Sequence, residues 1–388
     1  MSLNKLRFLT SGESHGPGLS IVMEGIPAGL ALTEQYLEID MARRQKGYGR
    51  GGRMLIEKDF AEIRSGVRQG YTLGSPIGMW ITNNDWENWK GPMSISKTEK
   101  APNKVTRIRP GHADMPGVLK YNFDDVRNVL ERASARETAA RVAIGGICKR
   151  FLEELGVYIR AHVLSIGEVT AKVPERIDWD KVEESPVRCA DPVAEKAMME
   201  AIDHAKAGGN TVGGVFEVVA TGVPPGLGSH IQWDTKIDGR LAQAIMSIPA
   251  VKGVEIGEGF GQTRLPGSQV HDIILPWSDG GPRWQRRSNN AGGSEGGMTN
   301  GQPVVVRAAI KPISTLSKPL PSVDLVTGEV VQAHYERSDV CQVAPGGVIG
   351  EAMVAMVLAD AAMEKFGGDH MQETLRNYRG YLDQIGMA

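Results

Sequence analysis

Strand-like and helix-like segments follow one another along this chain without strict alternation, and that irregular order restricts the fold more than any other feature. A doubly wound parallel sheet needs a helix after nearly every strand, so that architecture is disfavoured. Strands are expected at residues 6–10, 19–24, 77–82, 158–166, 214–221, 251–256 and 304–310. Helices are expected from about residue 34 into a basic run at 43–53, then at 123–155 with a break near Ser134, and at 192–206, 235–247 and 348–366. Thr33 stands where its hydroxyl caps the first of these. At 388 residues and 41% hydrophobic the chain can bury a substantial core, and length alone allows two to three domains. Nothing rich in Pro or Ser divides it, so a single domain spanning 1–388 is expected.

A weak internal echo runs through the two halves, about 1–155 and 210–366. Gly25-Ile26-Pro27-Ala28-Gly29-Leu30 is answered by Gly222-Val223-Pro224-Pro225-Gly226-Leu227. Gly74-Ser75-Pro76 is answered by Gly301-Gln302-Pro303, and Arg132-Ala133-Ser134 by Arg337-Ser338-Asp339. Either a βα unit has been duplicated, or Gly/Pro turns, common before helices, coincide by chance. Duplication would set Ser134 and Asp339 facing each other across a pseudo-twofold axis.

Charge is distributed unevenly. The net charge is only -2, yet residues 43–53 carry Arg43, Arg44, Lys46, Arg50 and Arg53 and no acid. Similar concentrations recur at Arg107, Arg109 and His112, at Arg132 and Arg136, at Arg283, Arg286 and Arg287, and at Arg337. Solvated helix faces usually alternate in sign, whereas these arginines sit among glycines and small residues with few acids nearby. A pI of about 6.5 and the lack of interleaved aromatics argue against a nucleic-acid groove. Guanidinium forks pair bidentately with phosphate or carboxylate, so a compact, multiply charged anion is the expected ligand. Without that ligand, mutual repulsion among the arginines is expected to loosen the site.

Gly12-Glu13-Ser14-His15-Gly16 matches the GxSxG pattern of serine hydrolases, but it leads into Pro17-Gly18 and a strand rather than a strand-to-helix elbow. A hydrolase using Ser14 would also need a later Asp and His, for which Asp339 and His370 are the C-terminal pair in that order. Gly47-x-Gly49-x-x-Gly52 fits a dinucleotide fingerprint, but follows a helix and is full of arginine. Ser14-His15 otherwise presents a hydroxyl and an imidazole on a tight turn, serving either the turn's own carbonyls or a ligand. His112 lies in a second such turn, Arg109-Pro110-Gly111-His112-Ala113-Asp114, which tilts the balance toward a ligand. Cys148, Cys189 and Cys341 are odd in number and lack CxxC spacing, so no disulfide framework or zinc site is expected and a cytoplasmic setting fits. The N-terminal residues lack an apolar signal region, and Glu351 and Asp360 interrupt the longest apolar run, so neither secretion nor membrane spanning is expected.

Taken together, several blocks of sequence resemble chorismate synthase in the family's order. They are residues 12–16, 43–53 and 109–114, Leu130-Glu131-Arg132-Ala133-Ser134-Ala135-Arg136-Glu137-Thr138, Ser288-Asn289 with Gly292-Gly293 and Gly296-Gly297, and Arg337-Ser338-Asp339-Val340-Cys341. The resemblance implies an α/β protein of the α+β type, a β-α-β sandwich of antiparallel sheets with helices outside, and a homotetramer. It implies a shikimate-pathway lyase that converts 5-enolpyruvylshikimate 3-phosphate to chorismate and phosphate by anti-1,4-elimination, with reduced FMN as cofactor. His15 would donate a proton to the leaving phosphate, His112 would act near the flavin, and Asp339 would help relay the C6 proton through flavin N5. Ser14 and Ser134 would be hydrogen-bonding partners.

Arg44, Arg50, Arg53, Arg109 and Arg337 are the expected substrate clamp. Flavin contacts transfer to Arg132, Ala133, Ser134, Pro249, Ala250, Gly296, Lys311, Pro312, Ile313, Ser314, Thr315 and Arg337. Pro249 replaces the family's usual Asn or other polar residue, and Val343-Ala344-Pro345 displaces a Val-Pro by one position. Arg44 and Arg50 would touch NADPH if this nucleotide serves as reductant; the absence of long insertions favours an external flavin reductase. A serine hydrolase and a non-catalytic phosphometabolite-binding protein are the competing classes.

Overall fold

A computed structural model describes residues 4–51, 58–99, 102–276, 284–336 and 338–387, so Arg53, Arg283 and Arg337 lie outside the described residues. In chain order the first half holds β1 (Arg7–Ser11), β2 (Gly18–Glu24), α1 (Glu34–Gln45), β3 (Glu62–Ser65), β4 (Ile77–Thr82), α2 (Trp86–Trp89), α3 (Asp114–Tyr121), α4 (Arg127–Leu130) and α5 (Thr138–Glu153). The second holds β5 (Tyr158–Ile166), β6 (Val169–Thr170), α6 (Trp179–Glu184), α7 (Pro192–Ala207), β7 (Gly214–Thr221), α8 (Ile237–Met246), β8 (Val251–Ile256), β9 (Val304–Ile310), α9 (Val343–Phe366) and α10 (Met371–Ile385). Every strand read from the sequence falls within one residue of these bounds.

Two antiparallel sheets result, ordered β1-β2-β4-β3 and β8-β9-β7-β5-β6. Period-two alternation turns Leu19, Ile21 and Met23 of β2 and Ile77, Met79 and Ile81 of β4 into the core, with Ile21 opposite Met79. In the second sheet Phe216, Val218 and Ala220 and Val304, Val306 and Ala308 do the same. Leaving aside the two-residue β6, each sheet has its strands in the sequential order first, second, fourth, third. The turn after the second strand also repeats. Thr72 Oγ1 donates to Pro27 O (2.6 Å) and accepts from Leu30 N (3.0 Å), while Thr299 Oγ1 donates to Pro224 O (2.7 Å) and accepts from Leu227 N (2.8 Å).

The two long apolar helices lie between the sheets and form the middle layer of the expected β-α-β sandwich, so not all helices sit outside. α9 is buried at all but two of its residues and packs on α5, β5, β7 and α8, while α5 packs on β2 and α1. A helix apolar on all sides must be enclosed, and α9, long and apolar enough to cross a membrane, is enclosed by protein. The helix begins at Val343, five residues before the expected start. Pro345 is tolerated in a first turn, whose N–H groups lack intrahelical partners. Closer still is the α5–α9 crossing, where a Cβ added to Gly145 would fall 2.2 Å from Ala352 Cβ and 2.5 Å from its Cα. Gly145→Ala should therefore cost about 1–3 kcal/mol or more by overpacking. An unchanged urea midpoint would mean that the two backbones do not touch.

Residues 123–155 resolve as α4, a 3₁₀ turn (Ala135–Glu137) and α5, and the interruption falls at Ser134, whose Oγ accepts from Arg136 N at 3.3 Å. Sequence reading missed β3, β6, α2, α3, α6 and α10. α10 starts in a capping box, with His370 Nδ1 accepting from Gln372 N and Glu373 accepting from His370 N.

Candidate active site

The segments just before α5 and α9 open onto one cavity of about 560 Å³, together with the β1–β2 turn, the segment after α1, the 109–113 turn and the ends of α8 and β9. That volume suits a small-molecule site. Among the described residues, six cations line it (Arg44, Arg50, Arg109, Arg136, Lys252 and Lys311), against two carboxylates, Glu336 and Asp339. The excess of positive charge faces the interior, where low dielectric strengthens its hold on an anion.

His15 sits on the β1–β2 turn, 8% exposed, and its ring lies 3.8 Å from that of Trp89, centroid to centroid. Its Nδ1 is 3.0 Å from both carboxylate oxygens of Glu131. Burial alone would raise the Glu131 pKa, but hydrogen bonding and attraction from His15, with help from Arg127, lower it. With Nδ1 engaged by a carboxylate, Nε2 is the atom through which His15 meets a ligand.

The second imidazole is held in a similar way. His112 Nδ1 lies 2.6 Å from Asp114 Oδ1, and Arg109 grips the same carboxylate through Nε (2.9 Å) and Nη2 (3.0 Å). Asp114 is fully buried, which opposes ionisation, yet the hydrogen bonds of His112 and Arg109 hold its pKa well below the usual carboxylate range. Glu336 is likewise lowered, to about 2, because His334 and Arg109 outweigh its burial.

The arginines are not the unaccompanied cations that their local sequence implied. Arg44 Nη1 pairs with Asp59 at 3.1 Å, and its other nitrogens donate to Thr138 Oγ1 and Ala135 O. Arg50 Nη1 pairs with Asp339 Oδ2 at 2.8 Å, and Asp339 Oδ1 accepts from Gly51 N at 2.6 Å. Arg136 shares Asp59. Folding supplies acids from elsewhere in the chain because unpaired buried guanidinium groups cost several kcal/mol. This removes the repulsion on which the expected looseness rested. The depressed Glu131, Asp114 and Glu336 stabilise the fold above their unfolded pKa values and lose that contribution as pH falls. Melting temperature should thus decline from about pH 4.5 toward about 2, as glutamates such as Glu336 take up protons. A flat profile over this window would contradict the pairing.

Leu130, Ile248, Ile310, Pro345 and Ile349 give the cavity an apolar part of its lining, which can contact a flat ring. Ala250, between α8 and β8, has φ +70°, a left-handed conformation that costs an L-residue about 1–2 kcal/mol. Its carbonyl accepts from Lys311 N at 3.0 Å, so the strain fixes the path of the chain along the wall. Lys311 Nζ donates to Gly111 O at 2.7 Å, and its pKa is lowered by burial and by nearby Lys252.

Of the residues expected from sequence, Ser14, His15, Arg44, Arg50, Arg109, His112, Ala133, Ser134, Pro249, Ala250, Lys311, Ile313, Ser314, Thr315 and Asp339 line the cavity. Arg132, Gly296 and Pro312 do not. Arg132 is exposed and donates to Gly12 O and to Thr10 O and Oγ1, and Gly296 turns a short hairpin between Glu295 and Met298. Lys252, Glu336 and Gln342 were missed. Arg136 and Glu131 stood inside a recognised block without being given a role. Glu336 adjoins Arg337 in sequence, which was the one signal that could have found it. His370, the histidine a hydrolase using Ser14 would need, caps α10 and is not part of the cavity.

Comparison with known proteins adds an independent finding. A family model described as chorismate synthase matches residues 6–363. Chorismate synthase of Aquifex aeolicus (strain VF5) is 55% identical over 398 residues, covering 99% of both sequences. That of Moorella thermoacetica is 56% identical over 386 residues, covering 98% of this chain and all of its own length, 100%. A crystal structure of chorismate synthase superposes with a TM-score of 0.80 at 45% identity, covering 99% of each chain.

Proposed function

The chain belongs to the chorismate synthase family, carbon–oxygen lyases of aromatic amino acid biosynthesis, and from that premise we propose how its own residues carry the reaction. The phosphate ester C–O bond of 5-enolpyruvylshikimate 3-phosphate breaks, a proton leaves C6, and chorismate and phosphate result. One observation carries the assignment of roles: a single cavity joins six cations, two imidazoles oriented by carboxylates, and an apolar wall.

The substrate bears two carboxylates and a phosphate, and Arg44, Arg50 and Arg109 are the clamp for them. Arg53 and Arg337 complete it in this reading. An attraction of about 4 kcal/mol for a charge pair 4 Å apart at an effective dielectric of 20 gives the scale of each contact. His15 protonates the leaving phosphate, Ser14 and Ser134 donate hydrogen bonds, His112 holds a proton on the opposite side, and Asp339 is the carboxylate toward which the C6 proton moves.

Reduced FMN, when bound, supplies transient electron density to the breaking allylic bond. The residues present fit such a group: the apolar wall accepts the ring, while Ala133, Ser134, Pro249, Ala250, Lys311 and residues 313–315 border it. The cationic side favours an electron-rich ring. Arg44 and Arg50 remain the candidates for contact with NADPH, and external reduction is the reading we favour.

The repeated strand order and matched Thr72 and Thr299 turns support two duplicated halves within a single domain. A homotetramer is supported by paired, exposed Leu9 and Val22 on the outer face of the first sheet, 79% and 51% accessible. Light scattering should give four times the monomer mass; a monomer would remove that reading. A cytoplasmic setting accords with three buried free cysteines.

The deciding assay is anaerobic. With the phosphorylated substrate and chemically reduced FMN, phosphate and chorismate should appear in equal amounts. Binding without turnover would leave only a phosphometabolite-binding protein. Repeating the assay with NADPH as sole reductant, with oxidised FMN present, separates intrinsic from external reduction.

A further inference from the structure

We propose that Glu131 is the positioning residue that fixes the tautomer and the aim of His15, a role that rests on the lyase reading above. Glu131 holds the Ser14–His15 turn at three points. Its main-chain carbonyl accepts from Ser14 N at 3.0 Å. Its carboxylate accepts from His15 N at 2.8 Å and lies 3.0 Å from His15 Nδ1. Main chain and ring are thus oriented by one residue, itself 3% exposed.

The arrangement closes into a ring of four side chains. Arg127 Nη1 donates to Glu131 Oε1 at 2.8 Å, and its guanidinium lies over the Trp89 ring at 5.1 Å, while Trp89 lies against His15. These partners come from the β1–β2 turn, α2 and the α4 segment, so no single element sets the imidazole's direction.

An ionised carboxylate can only accept, so the proton of His15 Nδ1 is committed to Glu131. When His15 acts as an acid its ring carries both protons, the one on Nε2 leaves, and the neutral ring that remains is the Nδ1–H tautomer. Free imidazole prefers the other neutral tautomer, with hydrogen on Nε2, so the bias has to come from the protein. In serine proteases the loss of an orienting carboxylate's charge reduces turnover by up to about 10⁴-fold through the same loss of tautomer control.

Glu131→Gln is nearly isosteric and retains the main-chain bond to Ser14. Wherever the new amide nitrogen sits, it faces a donor, because Arg127 addresses one oxygen and His15 N the other. One amide oxygen stays within reach of Nδ1, but the negative charge is gone and the new N–H group competes as a donor to Nδ1, so the hold on Nδ1–H is weakened.

The test uses the full chain labelled with ¹⁵N-histidine, the His15 resonances being assigned by their loss in His15→Ala. Long-range ¹H–¹⁵N spectra should show neutral His15 as the Nδ1–H tautomer in the wild type, shifting toward Nε2–H in Glu131→Gln. Under reduced flavin the variant should lose about 100-fold or more in kcat with KM changed less than about threefold, and Glu131→Asp should recover part of the rate. Nε2–H in the wild type would overturn the proposal even if no variant folds. So would a Gln variant that keeps both tautomer and kcat. A wild type that shows Nδ1–H but releases no phosphate would instead sink the lyase reading.

Discussion

His15→Ala should lower the rate of phosphate release about 10²- to 10⁴-fold while leaving flavin affinity nearly unchanged. The range is that of a positioned general acid, which acts when charge develops on the departing oxygen. Flavin affinity should survive because, in the proposed reading, the flat ring lies against Ile248, Ile310 and Ile349 rather than the β1–β2 turn. Anaerobic phosphate release and flavin fluorescence titration, run on the same preparation, check both halves. A normal rate would take His15 out of the chemistry. A rise in KM with kcat intact would reduce it to a binding contact.

Glu351→Ala should destabilise the fold by about 3–5 kcal/mol, the cost of removing one partner from a buried charge cluster. Glu351 lies in the middle of α9 and is fully buried. Its carboxylate accepts from Arg43 Nη1 at 2.7 Å and Nη2 at 2.8 Å, is bound by Lys149, and has Arg188 at 3.5 Å. Burial would raise its pKa, but Lys149 and Arg43 lower it. Removing it leaves Arg43, Lys149 and Arg188 to share Asp40 and Glu183, in the space where α1, α5 and α9 meet. For a chain of this size the loss corresponds to about 4–6 °C in melting temperature. The double change Glu351→Met with Lys149→Met should recover much of the deficit, since an apolar pair of similar volume often replaces a buried ion pair at little cost. If the single variant melts with the wild type, the cluster contributes nothing.

Secondary structure was largely legible because its causes are local. Alternation of apolar residues placed β2, β4, β7 and β9, and Thr33 Oγ1 does accept from Tyr36 N at 3.3 Å to cap α1. Errors came where packing overrides propensity. The expected helix starts at 348, yet Pro345, Gly346 and Gly347 lie within α9, where a Cβ on Gly346 would meet Ile310 Cδ1 at 2.4 Å. Only glycine lets that helix approach the second sheet so closely.

The site divides in the same way. Short blocks such as residues 12–16 and 109–114 announced their function because turn, imidazole and cation are neighbours in sequence. Asp59, Glu131 and Glu351 gave no comparable signal, since each acts on a partner from another segment.

By itself, then, the sequence determined which residues alternate, where helices are capped or interrupted, which family's motifs are present and that the ligand is anionic. Tertiary structure alone decided which acid answers which arginine, as with Arg43 and Glu351, 308 residues apart, and which nitrogen of His15 meets Glu131. The physical reason is range. Dihedral preference and periodicity act over a few residues, whereas a buried charge is balanced by whatever the fold brings within about 3 Å, and sequence separation does not enter that energy.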